Sequence, residues 1–447
     1  MVSEAFKAWF AEHGITEVEC LVPDLTGIPR GKIVPANKYL KGGTLRLPEA
    51  IFTQTVTGEY PEDDETGSDP AVIDMQLVPD ESTIRLVPWA KEPTAQVIHD
   101  CQYINGEAVS IAPRTVLRAV LDLYSERGWI PVIAPELEFY LVARNTDPDY
   151  PLASPVGRSG RQESGRQSYS IDAVNEFDPL FEEMYDFCDM QRLDTDTLIH
   201  EEGAGQVEIN FLHGNPLQLA DQVFLFKRTV REVALRHDIY ATFMAKPMEN
   251  EPGSSMHLHQ SIVDQHTGEN LFSLKNGQAS PAFYAFIGGL QKYLPAVMAI
   301  FAPNVNSYRR LTRHSDAPIN FQWGYDNRTC GLRVPHADPS NLRVENRVPG
   351  ADANPYLAIA ASLACGYLGM IEQLEATPPH CGSAYNLPYA LPRELSHALK
   401  LMEHSQNLQK LLGERFVQVF SAVKRLEYET YLHVISSWER EHLLLNV

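Results

Sequence analysis

Positive charge is in short supply in this sequence. Only 37 Lys and Arg stand against 58 Asp and Glu, a formal net charge of −21 over 447 residues. Such a balance disfavours nucleic acid and anionic membranes as partners, and favours cations: metal ions, magnesium-nucleotide or amines. Cysteine is also sparse. The six, at 20, 101, 188, 330, 365 and 381, are scattered with no CxxC pair, which argues against a disulfide framework and for a reduced, cytoplasmic setting. The N-terminal stretch MVSEAFKAWFAEHG reads as an ordinary amphipathic helix rather than a signal peptide. No internal repeat or low-complexity tract interrupts the chain. Long apolar runs are nearly absent too. Ala353–Ile371 alone is uncharged over a membrane-like length, but it opens on Asn354-Pro355 and is rich in Ala, Ser, Cys and Gly. With no flanking Lys or Arg cluster, it reads as a closely packed core helix.

What is present suggests two domains, a length and hydrophobic share large enough for more than one core. A first helix, Glu4–His13, leads to strand-like segments at Glu17–Val22 and Gly31–Val34 around the turn Asp24-Leu25-Thr26-Gly27. Gly42-Gly43 marks a turn, residues 58–70 an acidic, turn-rich loop, and strands are expected again at Val72–Met75, Ile84–Val87 and Ala95–Asp100. Residues 1–108 are therefore expected to form a small β-rich domain. From Pro113 the period changes: Val116, Leu117, Val120, Leu121 and Tyr124 recur at helical spacing up to Gly128. Residues 109–447 then mix strands with helices at Pro179–Arg192 and Leu217–His237, giving an α+β chain overall. Residues 145–170, rich in Ser, Gly, Pro and Arg, read as a mobile excursion.

The chemistry gathers in alternating segments. Trp129–Val142 is β-branched and aromatic, and within it Glu136 and Glu138, two positions apart on a strand, point the same way. Glutamates alone fit an edge strand with a solvated face better than a site. Leu198–Asn210 adds Glu201 and Glu208 around a Gly-Ala-Gly turn, expected to face one another across a hairpin. Gly253–Ser261 puts His257 and His259 on one strand face, and Asn341–Arg347 does the same for Arg343, Glu345 and Arg347. Hard divalent cations take carboxylate oxygens with an occasional imidazole. The set Glu136, Glu138, Glu201, Glu208, His257 and Glu345 could supply two ions, and the arginines suit charge that develops in phosphoryl transfer. Taken singly, His257-x-His259 could be a polar strand face, and Arg343 and Arg347 could simply balance surplus acid.

Together these motifs, Glu-x-Glu, His-Glu-(x)6-Glu, Met-His-x-His-x-Ser and Arg-x-Glu-x-Arg, resemble, in order and over nearly the whole chain, the glutamine synthetases of bacterial type. The resemblance implies a β-grasp-like N-terminal domain that completes the neighbouring subunit's site, and a larger catalytic domain with an antiparallel sheet flanked by helices. It implies a double-ring dodecamer, with ATP, glutamate and an amine as partners and two or more Mg²⁺ or Mn²⁺ ions. By match, Glu138, Glu201 and Glu208 would hold one ion, and Glu136, His257 and Glu345 the other. His259, Ser261, Arg333 and Arg343 would contact ATP. Gly253, Arg310, Arg328 and Arg347 would hold glutamate, Arg328 and Arg347 at its reacting carboxylate. Tyr389 resembles the family's adenylylation tyrosine, although a packing tyrosine would look the same.

The departures bear on the amine. The family's Asp-Gly-Ser-Ser loop is replaced by Gly42–Pro48 with no acid, its flap glutamate by Asp316 in His-Ser-Asp-Ala-Pro, and an asparagine that touches glutamate by Pro252. Together with Asp24–Lys32 and Ser437–Glu441, this resembles the γ-glutamylputrescine and γ-glutamylpolyamine synthetase branch. The expected activity is ATP-dependent joining of glutamate's γ-carboxylate to a primary amine through γ-glutamyl phosphate. Asp316 is the candidate proton acceptor, unless it only caps a turn. Phe52, Tyr60, Trp89 and Phe321 are candidate linings of an alkyl pocket, and Phe416–Leu445 of an inter-ring contact. True glutamine synthesis and a catalytically silent relative remain open alternatives.

Overall fold

The computed structural model describes residues 3–66, 74–313 and 317–447, excluding the side chains of residues 63 and 64. Two sheets carry the architecture. The first holds β1 (Glu17–Pro23), β2 (Pro29–Pro35), β3 (Leu45–Pro48), β4 (Asp74–Pro79), β5 (Arg85–Leu86) and β6 (Thr94–Gln102). Its order is β2-β1-β6-β4-β3, with β5 beside β6. β1 runs parallel to β6, and the other pairs are antiparallel. Asp24 closes the β1–β2 connection by accepting from the amides of Thr26 and Ile28 and from Arg30 Nε. Gly27 takes φ +83° there, a conformation that side chains rarely adopt. The strand expected at Val72–Met75 falls partly outside the described residues. β3, unannounced by the turn at Gly42-Gly43, is an addition to the expected set.

One face of this sheet buries Phe6 and Phe10 of the first helix with Val18, Tyr39 and Val97 in a small core of its own. Its other face, through Leu21, Phe52, Met75 and Ile98, is continuous with the main core. Two ionic joints, the first around a buried arginine, tie the sheet and its connections to the helices of the larger domain. Arg114, 2% exposed, reaches Asp80 at 2.9 Å, Asp100 at 2.5 Å and Asp221 at 2.8 Å, and Tyr356 also donates to Asp221. Arg415 grips Glu49 at 2.7 Å and also donates to Tyr103.

The second sheet holds β7 (Trp129–Ala143), β8 (Thr195–His200), β9 (Gln206–Phe211), β10 (Ile239–Thr242), β11 (Met256–Asp264), β12 (Trp323–Tyr325), β13 (Leu332–Val334) and β14 (Val344–Asn346). Its order is β12-β13-β14-β11-β7-β9-β8, with β10 beside β7. The sheet is antiparallel as expected, save for the parallel pair β12–β13. On β7, Ile133, Leu137, Phe139 and Leu141 are buried in the core, which leaves Glu136 and Glu138 on the opposite face. Helices cover the core side. Leu219, Val223, Phe226, Val230 and Val233 of the helix Pro216–Arg236 are all buried, the apolar face that the sequence announces. The helix Pro355–Glu372 is 89% buried, so its apolar composition serves packing. A Cβ on Gly369 would stand 2.1 Å from Ala285 O, so glycine permits its close approach to the helix Pro281–Tyr293.

Three expectations need correction. Residues 145–170 are pinned rather than loose, with an isolated bridge between Val156 and Gln162 and a buried contact from Glu163 to His200. Phe416 and Phe420 belong to the core, because the first half of the helix Glu414–Leu432 packs inward; apolar exposure begins at Tyr431 and continues through Leu432, Val434, Ile435 and Trp438. Phe52 is fully buried, Trp89 lies against Phe187 and Arg228, Tyr60 is exposed and Phe321 packs on the core. None of these four lines either cavity formed within this one chain, and the exposed Tyr60 still fits a pocket shared with a neighbour.

Candidate active site

Strand register brings the charged residues into one band. Arg333 on β13 sits opposite Glu345 on β14, and Glu345 opposite His259 on β11. His257 faces Glu136 on β7, and Glu138 faces Glu208 on β9. Facing residues share a side of the sheet, so the alternation in each segment puts all of these side chains together. The β8–β9 hairpin forms as expected, but its register sets Ile199 opposite Glu208, while the Glu201 amide bonds Gln206 O. Glu201 therefore sits one step along the same face rather than directly across.

The band separates two cavities that share Glu136 and Asn210. The smaller, 410 Å³, is lined by Glu136, Glu138, Glu201, Glu208, His257, Gly253, Arg310, Arg328, Arg333 and Arg347. The larger, 670 Å³, contains His259, Ser261 and Arg343 beside apolar residues of β7 and β9. Arg333, grouped by resemblance with the nucleotide residues, opens into the smaller cavity. Asp316 lies outside the described residues; the adjoining Ala317 lines the smaller cavity. Arg310 is buried and donates to Val348 O, and its stem explains Gly253, where a Cβ would meet Arg310 Cγ at 2.2 Å. Tyr389 lies between the guanidinium groups of Arg313 and Arg393, at 5.0 and 4.5 Å, an arrangement that fits the packing reading.

Two sets of potential ligand atoms lie within 4.8 Å of one another: Glu136, His257 and Glu345, and Glu138, Glu208 and His257. Glu201 belongs to neither set. The hydrogen bonds decide how His257 is used. Ser255 Oγ donates to Glu138 Oε1 at 2.6 Å, and so its 2.9 Å contact with His257 Nε2 is one in which the ring donates. Nδ1 is then the unprotonated nitrogen, and it faces Glu136 at 3.4 Å and Glu345 at 3.7 Å. A lone pair aimed at two carboxylates is repulsive unless a cation lies between them.

Ionisation tells the same story. Burial and then Arg347 push the His257 imidazolium down, which keeps the ring neutral. Burial opposes a charged Glu345, but the Arg347 guanidinium outweighs it and holds the carboxyl at about 2. Burial likewise opposes Glu136, and the 2.8 Å hydrogen bond from His259 Nε2, whose Nδ1 accepts from Arg343, holds it below the usual range. Glu208 goes the other way: burial, then Glu136, Glu138, Glu201 and Glu345, raise it well above 4.5. Glu201 rises to about 7 through burial and Glu138. Carboxylates that repel in a buried site, beside a ring with its lone pair inward, fit hard divalent cations.

The sequence reading missed the residues that orient these groups. The Ser255 amide and hydroxyl both hold Glu138. Gln206 Nε2 donates to Gly253 O at 3.0 Å, while Tyr140 donates to Gln206 Oε1 at 3.1 Å and to Pro252 O at 2.8 Å. Ser168, Tyr169 and Tyr385 also line the smaller cavity. Ser255 could have been found, since it stands two positions before His257 on the same face. Gln206 and Tyr169 carry no such signal.

Comparison with known proteins bears on this arrangement. Residues 110–443 match the family described as glutamine synthetase, catalytic domain. The chain is 36% identical over 439 residues to gamma-glutamylputrescine synthetase PuuA of Escherichia coli K12, covering 96% of this chain and 92% of that protein. It is 33% identical over 447 residues to glutamate–isopropylamine ligase of a Pseudomonas species, covering 97% and 96%. Among solved structures, apo GmaS without ligand superposes with a TM-score of 0.83 at 28% identity, over 99% of this chain and all of that one.

Proposed function

The chain belongs to the glutamine synthetase family, and on that premise we propose that it is a ligase that uses ATP to join the γ-carboxylate of glutamate to an aliphatic primary amine. The observation that carries the reading is the carboxylate and imidazole band standing between two cavities, one lined by four arginines, of which Arg310 and Arg347 are buried, and the other by His259, Ser261 and Arg343. Glutamate suits the smaller cavity, its α-carboxylate on Arg310 and its γ-carboxylate near Arg328 and Arg347. ATP suits the larger, its phosphates reaching the band near Arg343 and Arg333. Glu136, Glu345 and His257 Nδ1 would hold one Mg²⁺ or Mn²⁺ ion, and Glu138, Glu208 and Glu201 another. Bound ions would neutralise phosphate charge and align the reacting oxygens.

The reaction has two steps. The γ-carboxylate attacks the γ-phosphorus of ATP, and ADP leaves. The amine then attacks the γ-carbonyl carbon of the acyl phosphate, inorganic phosphate leaves, and an amine proton is lost, with Asp316 as candidate acceptor. Arg347 and Arg328 would steady the γ-carboxylate and the charge that develops on it, and the rigid strands supply alignment. Gln206 and Ser255 keep Gly253 and Glu138 in place for this.

An amine larger than ammonia is favoured by the loss of acid at Gly42–Pro48 and by the shorter acid at Asp316. The names of the relatives, which act on putrescine and isopropylamine, support the same class. We further read the N-terminal sheet as a β-grasp-like domain that completes a neighbour's site in a cytoplasmic, dodecameric enzyme, with exposed Leu432, Val434, Ile435 and Trp438 at a contact between rings. The test is to incubate the protein with ATP, glutamate and a panel of ammonium, short monoamines, putrescine and spermidine, and to compare kcat/KM for each. A γ-glutamyl amide formed preferentially from an amine supports the proposal. A tenfold preference for ammonium, about 1.4 kcal/mol at the transition state, would make the protein a glutamine synthetase instead.

A further inference from the structure

The segment that rims the smaller cavity is held almost entirely by polar contacts. Pro155 is buried against Gly205, but the segment's larger apolar side chains mostly face outward: Tyr150 is 71% exposed, Val156 56% and Tyr169 64%, with Ile171 just beyond at 71%. Hydrophobic burial therefore contributes little to keeping it over the cavity. The anchoring converges on His200, the last residue of β8. His200 Nε2 meets Glu163 Oε1 at 2.7 Å, and both side chains are buried, 1% and 7% exposed. His200 O accepts from the Tyr169 amide at 2.8 Å. His200 Nδ1 donates to Glu201 O at 2.6 Å, which ties the same ring to the backbone of a candidate ligand. Ser154 Oγ bonds Glu163 O, and the Glu163 amide bonds Pro155 O. An outer contact joins Arg166 to Glu202 and to Asn250 O.

The backbone adds an independent observation. Tyr169 has φ +63°, a left-handed conformation that a tyrosine avoids and that persists only where its surroundings impose it. The hydrogen bond to His200 O is the contact in position to impose it. Ser168 and Tyr169 then line the cavity beside Glu201 and Glu202. One buried pair thus fixes a wall of the cavity and one of its acids.

We propose that Glu163 and His200 form a latch that holds residues 163–170 over the smaller cavity and excludes water while glutamate is activated. The inference rests on the ligase reading above. An acyl phosphate is open to water as well as to amine. Water attacking its γ-carbonyl carbon forms a new C–O bond, breaks the bond to the phosphate oxygen, loses a proton and returns glutamate and phosphate, so ATP is spent without product. Closing the rim disfavours that reaction and leaves the approach of the amine as the productive one. Glu163 and His200 are positioning residues in this scheme, since neither lines the cavity.

The test compares wild type with Glu163→Ala and Glu163→Gln, measuring phosphate released per γ-glutamyl amide formed, and glutamate-dependent phosphate release without amine. Wild type should stay near one phosphate per amide. Glu163→Ala should release several phosphates per amide and raise the KM for amine, with the KM for ATP unmoved. Glu163→Gln, which can still accept from His200, should fall between them. Arg166→Gln, at the exposed end of the same segment, should shift the ratio in the same direction by less, and serves if the buried variants fail to fold. Unchanged ratios and amine KM in a folded Glu163→Ala would overturn the latch. Hydrogen exchange at the Tyr169 amide gives a reading independent of turnover: the latch requires faster exchange in Glu163→Ala, and equal rates would refute it. If wild type forms no amide with any amine, the ligase reading fails by itself, and with it the proposed shielding; the exchange rates still decide whether the pair holds the segment.

Discussion

Replacing Glu208 by Gln should stabilise the metal-free protein and abolish its response to magnesium. The reasoning starts from distance: potential ligand atoms of Glu138 and Glu208 lie within 4.8 Å. At an effective dielectric of ~20, two ionised carboxylates that far apart repel by about 3.5 kcal/mol. Glu208 escapes part of this by holding a proton, which is why its carboxyl stands well above 4.5. The net gain from Gln should therefore be about 1–3 kcal/mol. The pH dependence has a definite sign. A carboxyl whose folded pKa is raised binds its proton more tightly in the folded chain, so its contribution to stability falls as pH rises above the unfolded value. Glu201, raised to about 7, adds to that decline between 4.5 and about 7. Because Glu201 is common to both proteins, the advantage of the variant should widen through Glu208 alone as pH rises above about 4.5. Urea unfolding midpoints at one protein concentration, in EDTA and in magnesium, measure both effects. Saturating an ion site at ~100 times its Kd adds about 2.7 kcal/mol to wild type, and the variant should lose most of that increment. A Glu208→Gln protein that is clearly weaker in EDTA, or that keeps the full magnesium shift, would refute the reasoning.

Three further outcomes rest on the same geometry. Glu345→Ala should abolish glutamate-dependent ADP formation and lower stability by about 3–5 kcal/mol, since it strips a candidate ligand, leaves the buried Arg347, at 2.6 Å, without its counter-charge and leaves Arg333 with Asp326 alone; retained turnover would count against the assignment. Arg114→Met should destabilise by a similar about 3–5 kcal/mol, because it strips the buried Asp221 of its cation and leaves Asp80 and Asp100 with Arg118 alone; a loss under about 1 kcal/mol in urea unfolding would mean the joint holds little. Burial opposes a charged Glu49, but its bonds to Arg415 and Tyr103 prevail and keep its carboxyl below 4.5, so its contribution is present above that pH and fades as pH falls below it. Glu49→Gln should therefore differ from wild type in thermal midpoint at neutral pH and converge with it in acid, whereas a constant difference would contradict the linkage.

Much of the band could be seen in the sequence because strands convert spacing into facing. Glu136 and Glu138, His257 and His259, and the residues around Glu345 each alternate with apolar neighbours, and a two-residue period leaves each pair only one shared side. Which residue meets which was not legible, since register depends on turn geometry. The Gly203–Gly205 turn sets Ile199, not Glu201, opposite Glu208. The segment 145–170 looked loose because its composition is that of a loop, and a single buried ion pair of residues 37 apart leaves no periodic trace. The same holds for Ser255, Gln206 and Tyr140, whose roles come from hydrogen bonds across strands. Amphipathic helices such as Pro216–Arg236 were clear, whereas the inward packing of Phe416 and Phe420 was not, because periodicity does not say what lies opposite a face.

The central claim is that glutamate is activated by phosphorylation on its γ-carboxylate, and oxygen transfer tests it most directly. Glutamate labelled with heavy oxygen in the γ-carboxylate is turned over with ATP and the preferred amine, and the inorganic phosphate is collected. The account predicts one labelled oxygen in each phosphate, because the carboxylate oxygen that attacked phosphorus departs with it when the amine displaces phosphate. Phosphate without label, released at the rate of amide formation, would contradict it.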